Sequence, residues 1–446
     1  MAEVRTVPPL LAPIAGPSSV VVRDLDRQIA AAEFLPPSAI QRRQLVQAAR
    51  LAAHFAARLP TFAARMRNAS LKPNDLVTPA GFAALPPLSR EALRHAGALT
   101  AAALSPTAQP LYEKASSGST GEPVKVWRTR LNDLAWQANT LREHRWRRTD
   151  FAVPRAAVQA RIERPGLQPD WGAPAKYVSE TGPALYLPVT LDIEDLHARM
   201  AALRPGSLVI YPTTLDALLE VIVAKGNCLA PRTEIRAVGE TLSEALRQRV
   251  RDQLGLPVHD TYSSEELGHI AIECSSGHGL HACAESVIVE LLRDDGSPCA
   301  PGETGEVVVT DLLNTATPLI RYRIGDGAEH GGACPCGRGA LLLKRIRGRT
   351  RNMVVHPDGT RHWPLVGMAR FAELAPVRQF QCIQHSPQRI EVRLSVWRAV
   401  TAEEEAALAA LIRDSLGHPF ALDFAYFDGR LPMGSSAKFQ EFVRAF

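Results

Sequence analysis

An α/β fold with a second, smaller α+β domain is predicted for this chain. Two observations predict it. From Ser116 onward, segments of helical periodicity alternate with short apolar runs, the pattern of a parallel sheet covered by helices. The composition then changes after Arg349, where two strand-like segments, a capped helix and a further strand follow one another. Within 446 residues, two or three cores are expected.

The elements can be justified in order. Gln41–Leu59 places Leu45, Ala48, Ala52, Phe55 and Leu59 near helical spacing, so a helix is expected there. Leu208–Tyr211 is strand-like, Leu215–Ala224 helical and Ile235–Val238 a strand again. Thr241–Leu254 reads as a helix stopped by Gly255. A hairpin follows, from Ser286–Leu292 through Asp294-Asp295-Gly296 to Glu306–Leu312. In the last part, Gln379–Gln384 and Ile390–Val396 are strands. Thr401 and Glu404 form a capping box for a helix carrying Leu408, Leu411, Ile412 and Leu416, closed by Gly417. Phe420–Phe427 is the final strand.

Composition narrows the function. The chain is 46% hydrophobic and 22% charged with a formal charge of +5, which is average for a folded protein and gives no nucleic-acid signature. Its densest basic cluster, Arg142 to Arg148, reads as a solvated helix face. No apolar run approaches the roughly 18–20 residues needed to cross a bilayer, and the proline-broken Met1–Pro17 is not a secretion signal. The seven cysteines are odd in number and lie in the second half, which points to a reducing, cytoplasmic location.

Chemistry enters at Ser116-Ser117-Gly118-Ser119-Thr120-Gly121, followed by Glu122-Pro123. Four hydroxyls and two glycines in six residues suit a loop that wraps phosphate oxygens with N–H and O–H donors. Such a run is by itself also an ordinary turn. Further on stand Val238-Gly239-Glu240, Tyr262-Ser263-Ser264-Glu265-Glu266-Leu267-Gly268, Arg321-Tyr322-Arg323-Ile324-Gly325-Asp326, Gly348-Arg349 and Gly434-Ser435-Ser436-Ala437-Lys438-Phe439. In this order and spacing the segments resemble the adenylate-forming ligases, and most closely their phenylacetate–CoA ligase-like branch, over about residues 80 to 446.

The resemblance implies a large N-terminal adenylate-forming domain with mixed sheets, residues 1–349, and a small mobile C-terminal α+β domain, residues 350–446. It implies ATP, Mg2+ and coenzyme A as reactants or cofactors, and a small carboxylic acid as substrate, aromatic or of medium size. The acid would be activated as an acyl-adenylate and passed to coenzyme A. A carrier-protein thiol, an amine or a hydroxyl is the alternative acceptor, and a catalytically silent nucleotide-binding regulator the further alternative. A homodimer is compatible with all three; no nucleic acid or membrane partner is expected.

Residue by residue, the resemblance gives Ser116, Ser117, Gly118, Ser119, Thr120 and Gly121 to the outgoing phosphates. Gly239 and Glu240 border the adenine, Tyr262 stacks on it, and Ser263 lines the nucleotide. Glu266 holds Mg2+, Asp326 accepts the ribose hydroxyls and Arg349 contacts ribose or phosphate. Lys438 supplies charge at the α-phosphorus. Taken alone, Asp326 could be a turn residue, Glu266 a cap and Lys438 a surface lysine. Four departures from the family pattern stand out: Glu122 in place of lysine, with Lys125 nearby; Glu265 in place of a hydroxyl residue; Arg351-Asn352 at the hinge; and Ala437 before the lysine.

Cys334-Pro335-Cys336-Gly337 is a short knuckle whose thiols can share one metal, and Cys274, His278 and His281 lie upstream. The family branch often carries zinc at matching positions. That resemblance selects Cys274, His281, Cys334 and Cys336 as a structural Zn2+ set, within an insertion at about residues 270–340. Cys228, Cys283, Cys299 and Cys382 are expected to be packing or surface residues.

Overall fold

The computed structural model of the protein describes residues 7–12, 14–115, 124–362, 371, 373–429, 431–432 and 441–446. Helices α1 (Ser18–Ala32), α2 (Pro37–Ala56), α3 (Pro60–Asn68), α4 (Pro79–Ala84) and α5 (Arg90–His95) come first. The hairpin of β1 (Tyr112–Ala115) and β2 (Lys125–Arg128) brackets the Ser116–Pro123 loop, which lies outside the described residues. After α6 (Arg130–Arg147) come β3 (Arg155–Gln159), β4 (Gly166–Gln168), β5 (Ala184–Pro188), α7 (Ile193–Leu203), β6 (Ser207–Ile210), α8 (Pro212–Lys225), β7 (Glu234–Val238), α9 (Glu244–Leu254) and β8 (Val258–Ser264). An all-strand section follows: β9 (Gly268–Glu273), β10 (Leu280–Ala282), β11 (Val287–Leu292), β12 (Thr304–Asp311), β13 (Tyr322–His330) and β14 (Leu342–Arg349).

These strands, from β3 to β14, form one twelve-stranded sheet ordered β11-β12-β13-β14-β10-β9-β8-β7-β6-β3-β5-β4. The block β5-β3-β6-β7-β8 is parallel, as the helix–strand alternation requires, and the rest pairs antiparallel. On one face of the parallel block, Ala156, Leu208, Ile210, Ile235 and Ala237 pack against Leu196, Leu218, Ile222 and Val250 of α7, α8 and α9. Alternation along β7 sends Arg236, between Ile235 and Ala237, to the opposite face. There it meets α6.

That meeting corrects the reading of the basic cluster in part: it lies on a helix, with Arg145 and Arg148 exposed as expected, but Arg142 is not on the solvated face. Arg142 is fully buried, with Glu285 and Glu33 beside its guanidinium. Arg145 pairs with Glu33 at 2.8 Å and Asp26 at 3.1 Å, and Arg147 faces Glu234 at 3.7 Å. Arg142 is buried because Glu33, just after α1, and Glu285, in the turn before β11, enclose it, and such distant partners are not visible locally; Arg145 and Arg148 remain exposed. At the centre, Glu143 accepts from Arg236 at 2.5 Å and from the Thr261 hydroxyl. Burial alone would raise its carboxyl, yet Arg236 and Arg147 hold it well below the usual range. Its contribution is therefore present above the ordinary carboxylate pKa and is lost only as pH falls through the depressed one. Glu143→Ala leaves two buried guanidiniums without their shared anion, and should cost about 3–5 kcal/mol in denaturant unfolding near neutral pH. A loss below about 1 kcal/mol would show that the network is energetically neutral.

The last section holds β15 (Val354–Val355), β16 (Arg361–His362), β17 (Val377–Ser386), β18 (Arg389–Val396), α10 (Ala402–Leu416), β19 (Ala421–Phe427) and β20 (Phe442–Arg444). Four strands form a sheet ordered β19-β18-β17-β20. Ile390, Val392 and Leu394 share a core with Leu408, Ile412 and Leu416 of α10. Thr401 caps α10 reciprocally with Glu404, and the helix ends at Gly417, as expected.

Other boundaries moved. The helix expected over Gln41–Leu59 runs Pro37–Ala56, since Pro37 suits a first turn and Pro60 starts the next helix three residues after Ala57. The helix expected from Thr241 begins at Glu244, because the Ser243 hydroxyl accepts from Leu246 N–H and caps it. The bounds of α1 were not anticipated, and of α6 only the helix face at Arg142–Arg148 was.

Candidate active site

The carboxyl ends of β7 and β8 and the facing parts of β13 and β14 carry the described candidate site residues. At the end of β7, Gly239 has φ +77°, and a Cβ there would lie 2.6 Å from the Tyr211 ring, so only glycine fits. Glu240, the next residue, accepts from the Thr213 N–H at 3.0 Å and its hydroxyl at 3.2 Å. A carboxylate is thereby fixed at the N-terminus of α8, where exposed N–H groups favour negative charge.

Tyr262 and Ser263 lie on β8, and Asp326 and Arg349 face each other across β13 and β14. The Tyr262 hydroxyl donates to Asp326 Oδ2 at 2.7 Å, and Arg349 Nε donates to Oδ1 at 3.1 Å. Tyr262 and Asp326 are both buried. Burial, with Asp326 adding to it, pushes the Tyr262 phenol well up, so it stays a neutral donor. The Asp326 charge beside Arg349 raises that guanidinium further. Three residues far apart in sequence thus form one phenol–carboxylate–guanidinium unit.

Glu266 lies in the middle of the turn from β8 to β9 and is 4% exposed, with Arg90 Nη1 of α5 at 3.7 Å. Its neighbour Glu265 is oriented differently: its side chain is 64% exposed and lies 4.0 Å from Lys114. The departure at Glu265 therefore places a solvated charge, not a buried one, beside Glu266. Gly268, with φ +78°, allows the Arg128 guanidinium to pack where a Cβ would sit only 2.7 Å away. Lys125, raised as a substitute for the missing loop lysine, pairs with Glu113 at 3.0 Å. Arg90 and Arg128 were not singled out from the sequence; nothing near either of them marks a site, and only folding brings them to Glu266 and Gly268. The calls on Ser116, Ser117, Gly118, Ser119, Thr120, Gly121 and Glu122, and on Ala437 and Lys438, lie outside the described residues, as does the Arg351 side chain.

A second constellation lies at β9, β10 and the turn before β14. The ligand atoms of Cys274, His281, Cys334 and Cys336 all fall within 4.8 Å of one another. Cys274 and Cys334 sulfurs are 3.8 Å apart, and Cys336 Sγ is 3.2 Å from His281 Nε2. A tetrahedral shell with metal–sulfur bonds of about 2.3 Å spaces its sulfurs by about 3.8 Å, so the set fits zinc. His281 Nδ1 faces the Ala340 carbonyl at 3.2 Å, which turns Nε2 toward the thiols. His278 is not in the cluster. None of the seven cysteines is in a disulfide, and Cys228, Cys283, Cys299 and Cys382 are all buried, which removes the surface option for them.

The chain has the fold of the adenylate-forming ligases. Over 93% of its length it superposes on 92% of a crystallised 2-hydroxyisobutyryl-CoA ligase in the postadenylation state, with a TM-score of 0.69 and 16% identity. In sequence it is similar to the phenylacetate–coenzyme A ligase of Escherichia coli (strain K12), 28% identical over 259 residues, covering 56% of this chain and 57% of that protein. The phenylacetate–coenzyme A ligase of Thermus thermophilus is 31% identical over 164 residues, covering 34% of this chain and 36% of that one. The chain thus matches little more than half the length of the first of these curated relatives. No family model matches it. Among the described residues no helix is long and apolar enough to cross a membrane.

Proposed function

We propose that this protein activates a small carboxylic acid with ATP and Mg2+, forming an acyl-adenylate and pyrophosphate, and then transfers the acyl group to coenzyme A. The observation that carries this reading is the joining of Tyr262, Asp326 and Arg349 beside buried Glu266. An ionised carboxylate has about four acceptor positions. Asp326 thus has capacity for ribose hydroxyls while holding Tyr262 and Arg349, and Arg349 would bring positive charge toward the phosphates. The names of the relatives favour an aromatic acid.

In this mechanism the substrate carboxylate attacks the α-phosphorus and pyrophosphate leaves, so two anions must be brought together. Gly239 and Glu240 would border the base, with Ser263 nearby and Tyr262 presenting its ring to the base. Glu266 fits Mg2+ as a buried carboxylate, and that ion would neutralise phosphate charge. Ser116 to Gly121 would hold the departing phosphates. Lys438 would stabilise the crowded α-phosphorus and withdraw for thioester formation, carried by a mobile domain of residues 350–446 against a large domain of residues 1–349. In the region of about residues 270–340, Cys274, His281, Cys334 and Cys336 would hold one Zn2+ in a closed, structural shell. The unpaired cysteines support a reducing compartment such as the cytoplasm. The test of this reading is acid-dependent pyrophosphate release from ATP, with acyl-coenzyme A as the product.

A further inference from the structure

Away from these groups, a cavity of about 350 Å³ opens between α3, the Pro86–Leu88 segment, α5 and Pro318. Its size lies within the range of small-molecule pockets. Phe62, Leu88, Ala92 and Pro318 give it largely apolar walls. The Thr61 hydroxyl is already committed to the Ala96 carbonyl at 2.5 Å, tying α3 to α5 along one side. Asn68 and His95 stand at the exposed rim.

The wall also contains Arg65, and its charge is not matched. Arg65 Nη2 donates to the carbonyls of Pro86 at 2.7 Å and Ile320 at 2.9 Å, while Nη1 is buried without a partner. Its guanidinium lies 5.8 Å from the Phe62 ring centre, and among the described residues it has no carboxylate in ion-pair range. The neighbouring Arg321, by contrast, is held by Glu290 at 2.9 Å. Burial first, and the Arg321 charge second, lower Arg65 to about 10, which still leaves it a cation at neutral pH. A half-buried cation bonded only to carbonyls, with one nitrogen enclosed and unpartnered on the wall of an apolar hollow, leaves a place for an anion.

We infer that this cavity is a binding site for a small apolar monocarboxylate, its chain on Phe62 and Leu88 and its carboxylate on Arg65. It is separate from the adenylation site. None of the candidate site residues lines the cavity, and α5, which contributes Ala92 and His95 to its wall, also carries Arg90, 3.7 Å from Glu266.

The experiment is calorimetric titration of the full-length protein, without ATP, with octanoate and with 1-octanol as its uncharged counterpart. Wild type should bind octanoate, with octanol at least about tenfold weaker, the value of a charge-assisted hydrogen bond. Arg65→Gln, which removes the charge, and Ala92→Trp, which fills the hollow from an exposed helix position, should each weaken this octanoate binding by about tenfold or more. If Arg65→Gln fails to fold, Ala92→Trp decides alone. Absent octanoate binding in wild type, equal binding of octanol, or undiminished binding in Ala92→Trp would each overturn the inference.

Discussion

Asp326→Ala should lower kcat/KM for ATP by on the order of 100-fold or more, because it removes an anion that organises two other side chains at once. The Tyr262 hydroxyl loses its acceptor at 2.7 Å and Arg349 its ion pair at 3.1 Å. The phenol is then a buried donor with nothing to donate to, and the guanidinium is no longer directed by β13. A ribose would also lose its acceptor. Tyr262→Phe removes only the first of these interactions and should cost about tenfold or less. The graded pair separates a nucleotide-binding unit from a merely structural hydrogen bond. Nucleotide affinity, measured by calorimetry well below the melting temperature of each variant, is the readout. Equal and small effects of both substitutions would remove Asp326 from the nucleotide site.

The second large effect concerns the metal. Purified protein should contain about one zinc per chain. Cys336→Ser, or a strong chelator, should release it and lower stability by about 4 kcal/mol or more. The reason is local: Cys334 and Cys336 sit in a turn with no regular secondary structure of its own, and the ligand set ties that turn to β9 and β10. Buried thiols 3.8 Å apart, too far for a disulfide, gain little from one another without an ion between them. Elemental analysis with thermal unfolding checks this. Metal-free protein as stable as wild type, unchanged by Cys336→Ser, would end the zinc assignment.

How much of this was legible in the sequence depends on how local each signal is. The strands Leu208–Tyr211 and Ile235–Val238, the Thr401–Glu404 cap and the hairpin at Asp294-Asp295-Gly296 were all readable from a few adjacent residues, and the structure places them within one to three positions. Of the four clustered ligands, Cys334 and Cys336 were legible as two thiols two residues apart, whereas Cys274 and the choice of His281 over His278 came from the family resemblance. Arg142 of α6 was not readable as buried: it looks solvated until Glu33 and Glu285 arrive from elsewhere in the fold. Motif order pointed to Tyr262, Asp326 and Arg349 separately. It could not show that one carboxylate holds the other two, because that depends on the register of β13 with β14 and on β8 lying three strands beyond β14 in the sheet. Arg90 and Arg65 were equally hidden, since each matters only through a neighbour more than fifteen residues away.

The central claim is that ATP is split at its α-phosphorus by a carboxylate. Pyrophosphate release should therefore be followed for the wild-type protein, with Lys438→Ala as control, in the presence of Mg·ATP, coenzyme A and a panel of aryl and medium-chain acids. The account predicts that pyrophosphate and AMP appear only when a suitable acid is present, together with the matching acyl-coenzyme A, and that Lys438→Ala abolishes all three. Release of ADP and phosphate, or turnover indifferent to every acid offered, would contradict it.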